Sequence, residues 1–511
     1  MNEIAVGVEA LTEQQVLAVA RHDARVRLND EARKAIVASR DVIEALAGDP
    51  EPHYGISTGF GALATKQIAP ENRVALQRSL IRSHAAGSGP EVEREVVRAL
   101  MLLRLSTLAT GRTGVRLETA ETYAAMLNAG ITPVVYEFGS LGCSGDLAPL
   151  AHCALAAMGE GTVRVGGKAQ PAGDALAAAG ITPVVLREKE GLALTNGVDG
   201  MLGMLTLATH DLALLFRTAD LAAAMSVEAQ LGTDAVFAAD LQALRPHPGQ
   251  ADSAANLRAL LAGSAIMASH RGPQCTRVQD AYSLRCSPQV HGAGRDTLAH
   301  ARLVRDRELA SAIDNPVVTL DGRVESNGNF HGAPVAYVLD FLAIAAADLA
   351  SVAERRTDRF LDRARNHGLP AFLADDPGVD SGYMIAQYTQ AALVSELKRL
   401  AVPAAVDSIP SSAMQEDHVS MGWSAARKLR RAVDALTQVL AIEILTAARA
   451  LDLRLPLTPA PATAAARDAL RQQVAGPGPD RYLAPDIAAT VELVRSGRLV
   501  AAAEAVCGPL L

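Results

Sequence analysis

Gly139-Ser140-Leu141-Gly142-Cys143-Ser144-Gly145-Asp146-Leu147-Ala148-Pro149-Leu150 joins a glycine-rich turn to an apolar, helix-forming run. Gly145 lacks a Cβ, so its amide nitrogen can approach a neighbouring carbonyl carbon more closely than in any other residue. A tight turn here would carry that nitrogen onto the carbonyl carbon of Cys143 and close a five-membered ring. Loss of water from the ring and from the Ser144 hydroxyl would then leave an exocyclic methylene, a carbon electrophile that no ordinary side chain supplies. Asp146 reads as a helix N-cap, with Pro149 tolerated in the first turn. The triplet would then lie at the positive pole of a helix, which favours negative charge developing on the ring as a nucleophile adds.

The surroundings are those of a large globular protein. Of 511 residues 49% are hydrophobic and 20% charged, enough to bury an extensive core. A net charge of −8 gives no reason to expect nucleic acid or an anionic membrane as partner. The five cysteines, Cys143, Cys153, Cys275, Cys286 and Cys507, form no CxxC pair, which argues against a disulfide framework or a zinc cluster; no metal is expected. The opening MNEIAVGVEALTEQQ has neither a basic nor an apolar leader region, and no run of eighteen uncharged apolar residues follows. A cytoplasmic location is expected.

Upstream of the triplet, Thr12 and Gln15 suit a capping box opening a first helix, and a second pattern starts near Asp30 and ends before Asp49-Pro50. His53-Tyr54-Gly55-Ile56-Ser57-Thr58-Gly59-Phe60-Gly61 is a glycine-rich loop presenting Tyr54. Helix resumes from Glu71 to Gly111, broken around Ser83-His84. The phrase Ala-Gly-Ile-Thr-Pro-Val-Val occurs at 129–135 and again at 179–185, and reads as two helix-to-strand exits pairing in a small sheet.

Downstream, long amphipathic helices are expected over 199–229, 383–401 and 423–452, and after Pro334, where Val335, Val338, Leu339, Leu342, Leu349 and Val352 share one face. Many alanines and only 3% aromatic residues favour close helix–helix packing in a long bundle. Polar loops are expected at 271–295, 313–333, 365–382 and 403–422. Gln279, Tyr282 and Arg285 are three apart, so one helical turn would aim all three at one cavity. An Arg beside a Tyr suits a carboxylate-bearing substrate, the guanidinium forking onto two oxygens. Ser326-Asn327-Gly328-Asn329-Phe330-His331-Gly332 is a tight turn presenting Phe330, and Met414-Gln415-Glu416-Asp417-His418-Val419-Ser420 is a polar cluster ahead of a helix.

With the Cys143-Ser144-Gly145 triplet upstream, these segments in this order resemble the aromatic amino acid ammonia-lyases, from Tyr54 to the helix ending near Leu451. In that family an Ala-Ser-Gly triplet cyclises unaided to 4-methylidene-imidazol-5-one (MIO). Here Cys143 stands where Ala is usual, and only its backbone carbonyl would enter the ring. The resemblance implies a mainly α fold of the fumarase/aspartase-like superhelical type. An N-terminal domain over 1–197 would bear the MIO loop, with a long helix bundle and C-terminal helices over 198–511. It also implies a homotetramer whose active sites each draw on three subunits.

The resemblance further implies the roles of single residues. Tyr282 would remove the β-proton, with Tyr54 and Glu416 as rival or assisting groups. Arg285 would bind the substrate carboxylate, supported by Asn196 and Gln279, and Phe330 would pack near the MIO ring. Ser83-His84 stands where tyrosine-selective relatives look like His-Leu and phenylalanine-selective ones like Phe-Leu. Together with Glu416, His84 would hold an imidazole, implying conversion of L-histidine to trans-urocanate and ammonia, the entry to histidine degradation. A tyrosine or phenylalanine lyase, or an aminomutase, is the nearest alternative. A fumarase-type lyase lacks support because its Gly-Ser-Ser-x-Met-Pro loop is missing. A non-catalytic helical scaffold would not need Ser144, Tyr54, Tyr282 and Arg285 together.

Overall fold

The computed structural model describes residues 3–272, 275 and 278–511. It is mainly helical. β1 (Ile4–Val6) and β2 (Val26–Leu28) pair in parallel on either side of α1 (Glu13–His22). Thr12 and Gln15 form the expected capping box, Thr12 N–H donating to Gln15 Oε1 at 2.8 Å and Gln15 N–H to Thr12 Oγ1 at 3.3 Å. α2 (Asp30–Ala47) is capped by Asn29. α3 (Arg73–His84), β3 (Ser88–Glu91), α4 (Arg94–Ala109) and α5 (Leu117–Asn128) follow. Every residue of α4 from Val96 to Ala109 is buried, as a helix without a polar face must be. The two arginines on it find backbone partners inside the core. Arg98 donates to the carbonyls of Val19 and Leu127, and Arg104 to those of Asn196 and Ile313.

β4 (Thr132–Pro133), β5 (Tyr136–Phe138), α6 (Leu147–Ala157), β6 (Thr162–Val165), β7 (Lys168–Pro171), α7 (Ala172–Ala178) and α8 (Glu190–Ala193) complete the N-terminal part. The repeated phrase departs from expectation in its second copy. Both copies leave a helix through a left-handed glycine, Gly130 and Gly180. The first becomes β4 and pairs with β6, whereas residues 179–185 form no strand. The β6–β7 hairpin already supplies β4's partner, so the two copies do not pair with each other.

The expected long helices are present as α9 (Asp199–Ala229), α15 (Ala333–Leu361), α16 (Met384–Leu400) and α17 (Gly422–Asp452). Between and after them lie α10 (Ala239–Ala243), α11 (Pro248–Leu261), α12 (Ala265–Ala268), α13 (Tyr282–Arg285), α14 (Ser287–Leu309), the hairpin β8 (Val317–Val318) and β9 (Val324–Glu325), and α18 (Pro461–Arg471), α19 (Ala484–Arg495) and α20 (Arg498–Cys507). The loop expected over 271–295 is shorter than the sequence suggests, because α14 begins at Ser287; residues 273, 274, 276 and 277 of it lie outside the described set. Val335, Val338, Leu339, Leu342 and Leu349 are buried as expected, and Val352 half-buried. α15 is long and apolar enough to cross a membrane by length and composition, yet 61% of its most apolar window is buried in the protein. Asp340 and Asp348 also interrupt that window, which makes α15 a core helix.

The chain divides into two compact units, each built from separate segments. The first comprises 1–207, 302–340 and 403–427, and the second 208–301, 341–402 and 428–511. A boundary at 197/198 falls just ahead of α9, whose first turns stay with the first unit.

Candidate active site

The triplet lies in the first unit on a loop fixed from several directions. Gly145 has φ +82 and bridges Gly197 in parallel. A Cβ on Gly145 would lie 2.0 Å from the Gly197 carbonyl oxygen, so the turn accepts glycine alone. The N–H of Asp146 donates to that same oxygen at 2.7 Å. Ser140 Oγ donates towards Asp146 Oδ1 at 3.0 Å and accepts the N–H of Gly142 at 3.1 Å.

Asp146 does begin α6, but its side chain caps a different helix. Oδ2 accepts the N–H groups of Gly200 and Met201, each at 2.9 Å, which satisfies the first turn of α9. Burial pushes this carboxyl up to about 7 despite those bonds, with Asp199 adding to the shift.

Other helices start against the same loop. At the head of α17, Met421 N–H donates to Leu141 O at 2.8 Å and Ser420 Oγ to Gly142 O at 2.9 Å. Ahead of α15, a Cβ on Gly332 would sit 2.7 Å from Met201 Sδ and 2.9 Å from Ser420 Oγ. The N-terminal ends of α6, α9, α15 and α17 therefore gather round Gly139–Asp146. Each contributes roughly half a positive charge at its pole, so the loop is a place where a developing anion is stabilised.

A cleft of about 460 Å³ opens beside the triplet. It brings together five of the expected residues: Tyr54, Cys143, Ser144, Phe330 and Glu416. Ser144 Oγ donates towards Glu416 Oε1 at 3.4 Å, while Glu416 Oε2 accepts Ser411 Oγ at 2.9 Å. Tyr54 Oη accepts the N–H of Gly61 at 3.3 Å. Burial, with Glu416 nearby, pushes the Cys143 thiol up to about 12, so it stays protonated.

His84 ends α3 within the electrostatic reach of Glu416. Burial holds its imidazole below the ordinary value, against the opposing pull of the Leu80 carbonyl and Glu416. Ser83 Oγ donates to Leu80 O at 3.0 Å and meets His84 Nδ1 at 3.1 Å. With its one hydrogen committed, Ser83 accepts from Nδ1–H, and the lone pair remains on Nε2. Asn196 is buried, its Nδ2 donating to Asn315 O at 2.8 Å, and Asn315 lines the cleft.

Gln279, Tyr282 and Arg285 belong to the second unit and do not line this cleft. Gln279 precedes α13 instead of sharing its turn, and faces a separate pocket with Gly232 and His270. The shared helical turn expected for the three residues therefore holds only for Tyr282 and Arg285. Tyr282 is 71% exposed, with the Arg285 guanidinium stacked on its ring at 4.8 Å.

Three further cleft residues, His331, His418 and Asn315, were not singled out from the sequence. His331 and His418 stack with ring centroids 5.7 Å apart and planes within 2°, and His331 Nε2 points at His418 O at 3.3 Å. Asn315 is the third, held by Ser326 Oγ and by the N–H of Asn327 on its Oδ1. Its signal was the Asn-Pro pair at 315–316, a turn marker within a loop already noted.

The sequence profile described as aromatic amino acid lyase matches residues 11–472. The chain belongs to the aromatic amino acid lyase family. Among family members, a Streptomyces avermitilis protein described as histidine ammonia-lyase is 68% identical, the match covering 100% of both chains. The solved tyrosine aminomutase of Streptomyces globisporus superposes with a TM-score of 0.93 at 40% identity, covering 99% of each chain. The histidine ammonia-lyase of Trypanosoma cruzi superposes at 0.91 with 38% identity, covering 99% of this chain and 96% of that one. The fold is thus shared between lyases and aminomutases of this family.

Proposed function

We propose that this family member is an ammonia-lyase acting on L-histidine, giving trans-urocanate and ammonia. The observation that carries the reading is the Glu416 carboxylate in the cleft, with the half-buried His84 at the end of α3 within its electrostatic reach. A phenyl or phenol ring offers no partner for both groups, whereas an imidazole has two ring nitrogens to meet them. The full-length 68% identity to a protein described as histidine ammonia-lyase supports the same choice over the aminomutase fold-mates.

The triplet fits formation of MIO. Gly145 is held where only glycine is accommodated, and the Cys143 side chain stays outside the atoms that would form the ring. Once formed, the group supplies an electrophilic methylene carbon that makes the substrate amine a better leaving group.

The chain's own residues do the rest. Elimination breaks the Cβ–H and Cα–N bonds and forms the Cα=Cβ double bond, so a base must take the β-proton. Tyr282 is the proposed base, with Tyr54 and Glu416 as assisting groups. The Arg285 guanidinium stacks on the Tyr282 ring at 4.8 Å, which ties the base and the carboxylate anchor into one arrangement. Arg285 also binds the substrate carboxylate, with Asn196 and Gln279 in support. Phe330 closes the cleft near the triplet, and the gathered helix poles stabilise charge developing there. The 71% exposure of Tyr282 supports a homotetramer in which neighbouring subunits complete each site.

The test is an assay of purified protein with L-histidine, L-tyrosine and L-phenylalanine side by side, following each unsaturated acid and each β-amino acid. Urocanate formation from histidine alone is the expected result. A β-amino acid product, or equal turnover of tyrosine, would overturn the assignment.

A further inference from the structure

The second unit holds a buried chain of charged groups that the reaction above does not use. Arg356 forks onto Glu443, Nε to Oε1 at 2.5 Å and Nη2 to Oε2 at 3.0 Å, both side chains being fully buried. Ser226 Oγ donates to the same carboxylate at 2.7 Å. Nearby, His291 Nδ1 meets Asp220 Oδ1 at 2.7 Å, and Arg295 reaches Asp220 Oδ2 at 2.6 Å. Burial alone would push the Asp220 carboxyl up, but Arg295, His291 and Ser253 outweigh it and bring it down to about 2. Burial likewise keeps His291 below its ordinary value, despite Asp220. A neutral imidazole donating Nδ1–H to Asp220 leaves its Nε2 lone pair facing Arg356 Nη1 at 3.5 Å. The two ion pairs are therefore one network.

That network ends on α13. Arg356 Nη1 reaches the Ser283 carbonyl at 3.3 Å and Ser287 Oγ at 3.4 Å. Ser287 Oγ in turn meets the carbonyls of Ser283 at 3.2 Å and Leu284 at 3.0 Å. A four-residue helix is a single turn, too short to be stable by itself, and its last carbonyls have no partner within it. The Cys286 N–H reaches the Tyr282 and Leu284 carbonyls, and Arg356 and Ser287 hold the Ser283 and Leu284 carbonyls from the buried side, while Tyr282 is exposed. A buried ion network adds little stability over an apolar cluster of the same volume, so its value lies in the orientation it imposes.

We propose that Arg356 and Ser287 are positioning residues that fix the turn bearing Tyr282 and Arg285, with Glu443 and the Asp220–His291 pair holding the guanidinium in register. The proposal rests on the reading of Tyr282 as base and Arg285 as carboxylate anchor. Ser287→Ala removes one oxygen; Arg356→Lys keeps the charge but cannot span Glu443 and Ser283 together. Each is made in the full-length protein and again in a Tyr282→Phe background, and kcat and KM for L-histidine are measured with the thermal midpoint.

A displacement of ~1 Å costs up to ~100-fold in rate, so each variant should lower kcat about tenfold with its thermal midpoint little changed. In the Tyr282→Phe background the same changes should alter the residual kcat less than about twofold, because no base remains to be misplaced. Each variant should also raise KM, because Arg285 is displaced with the turn, and that rise should appear in both backgrounds. Equal fold-losses of kcat in the two backgrounds, or wild-type kcat in Ser287→Ala, would overturn the positioning role. Wild-type turnover in Tyr282→Phe alone would remove the base assignment, and the proposal with it. Ser287→Ala decides the matter where Arg356→Lys does not fold.

Discussion

Ser144 Oγ and Glu416 Oε1 lie 3.4 Å apart, across 272 residues of sequence. The other Glu416 oxygen is held by Ser411, so the carboxylate faces the triplet in one orientation. Glu416→Ala is expected to lower kcat with L-histidine by at least ~10²-fold, the scale of a lost acid–base or anchoring group. Ring formation should survive, because the bond that closes the ring joins Gly145 to Cys143 and does not involve Glu416. Intact mass and urocanate formation on one preparation separate the two effects; loss of both together would assign Glu416 to ring formation.

Purified protein should weigh about 36 Da less than its encoded chain, the mass of two waters lost in a self-modification. Ser144→Ala has no hydroxyl to eliminate, so its mass deficit should not exceed one water, about 18 Da, and it should lose nearly all turnover while remaining folded. Gly145→Ala should keep the unmodified mass, with no water lost, since its Cβ collides with Gly197 and its φ is strained by on the order of 1–3 kcal/mol. An unmodified mass in fully active wild type would refute the cyclisation.

Cys143 should be chemically silent. A thiol pushed up to about 12 has almost no thiolate at neutral pH, so alkylation of native protein should spare Cys143 while the exposed Cys275 reacts. Cys143→Ala should still form the ring and keep activity within a few-fold, checked by mass and urocanate rate. Failure to cyclise would give the thiol a role beyond packing.

His84 makes a pH prediction with a definite sign. Its folded-state value lies below the ordinary imidazole value. Between the two, the unfolded chain binds a proton that the folded chain does not, so stability falls as pH drops through that window and levels off above about 6.5. His84→Leu should flatten that part of the acid slope in unfolding experiments between pH 5 and 8. The same variant should lower kcat/KM for histidine sharply without creating a good phenylalanine enzyme. The wild-type preference for histidine over phenylalanine should approach ~10⁴-fold, the scale reached when unmatched buried polar groups reject a substrate. An unaltered acid slope would mean that His84 titrates alike in both states.

Much of the site was legible because its chemistry is local. The Cys143-Ser144-Gly145 turn, Phe330 and Glu416 each announce themselves within a few residues, and the cleft brings them together. Asp146 was legible as a helix start but not as the cap of α9, because that helix reaches it from more than fifty residues away. The His331–His418 stack is likewise invisible along the chain, since neither ring has a reason to be noticed until the two loops meet. Gln279 shows the opposite limit. Its spacing from Tyr282 matches a helical turn, yet α13 starts only at Tyr282, and spacing carries no signal for where a four-residue helix begins. The long helices were read most accurately, their apolar faces repeating over many turns.

The gathering of helix ends round residues 139–146 also sets a timetable. Ser420 holds the Gly142 carbonyl from 278 residues downstream, and Met421 holds the Leu141 carbonyl just before it. A growing chain that has just emerged with Ser144 on it has no means of holding that loop in its final shape. On the proposed cyclisation the reactive carbon would therefore be withheld during synthesis, when amines and thiols could consume it. It would be armed only after most of the chain has been made and folded, inside a cleft that already controls what can approach.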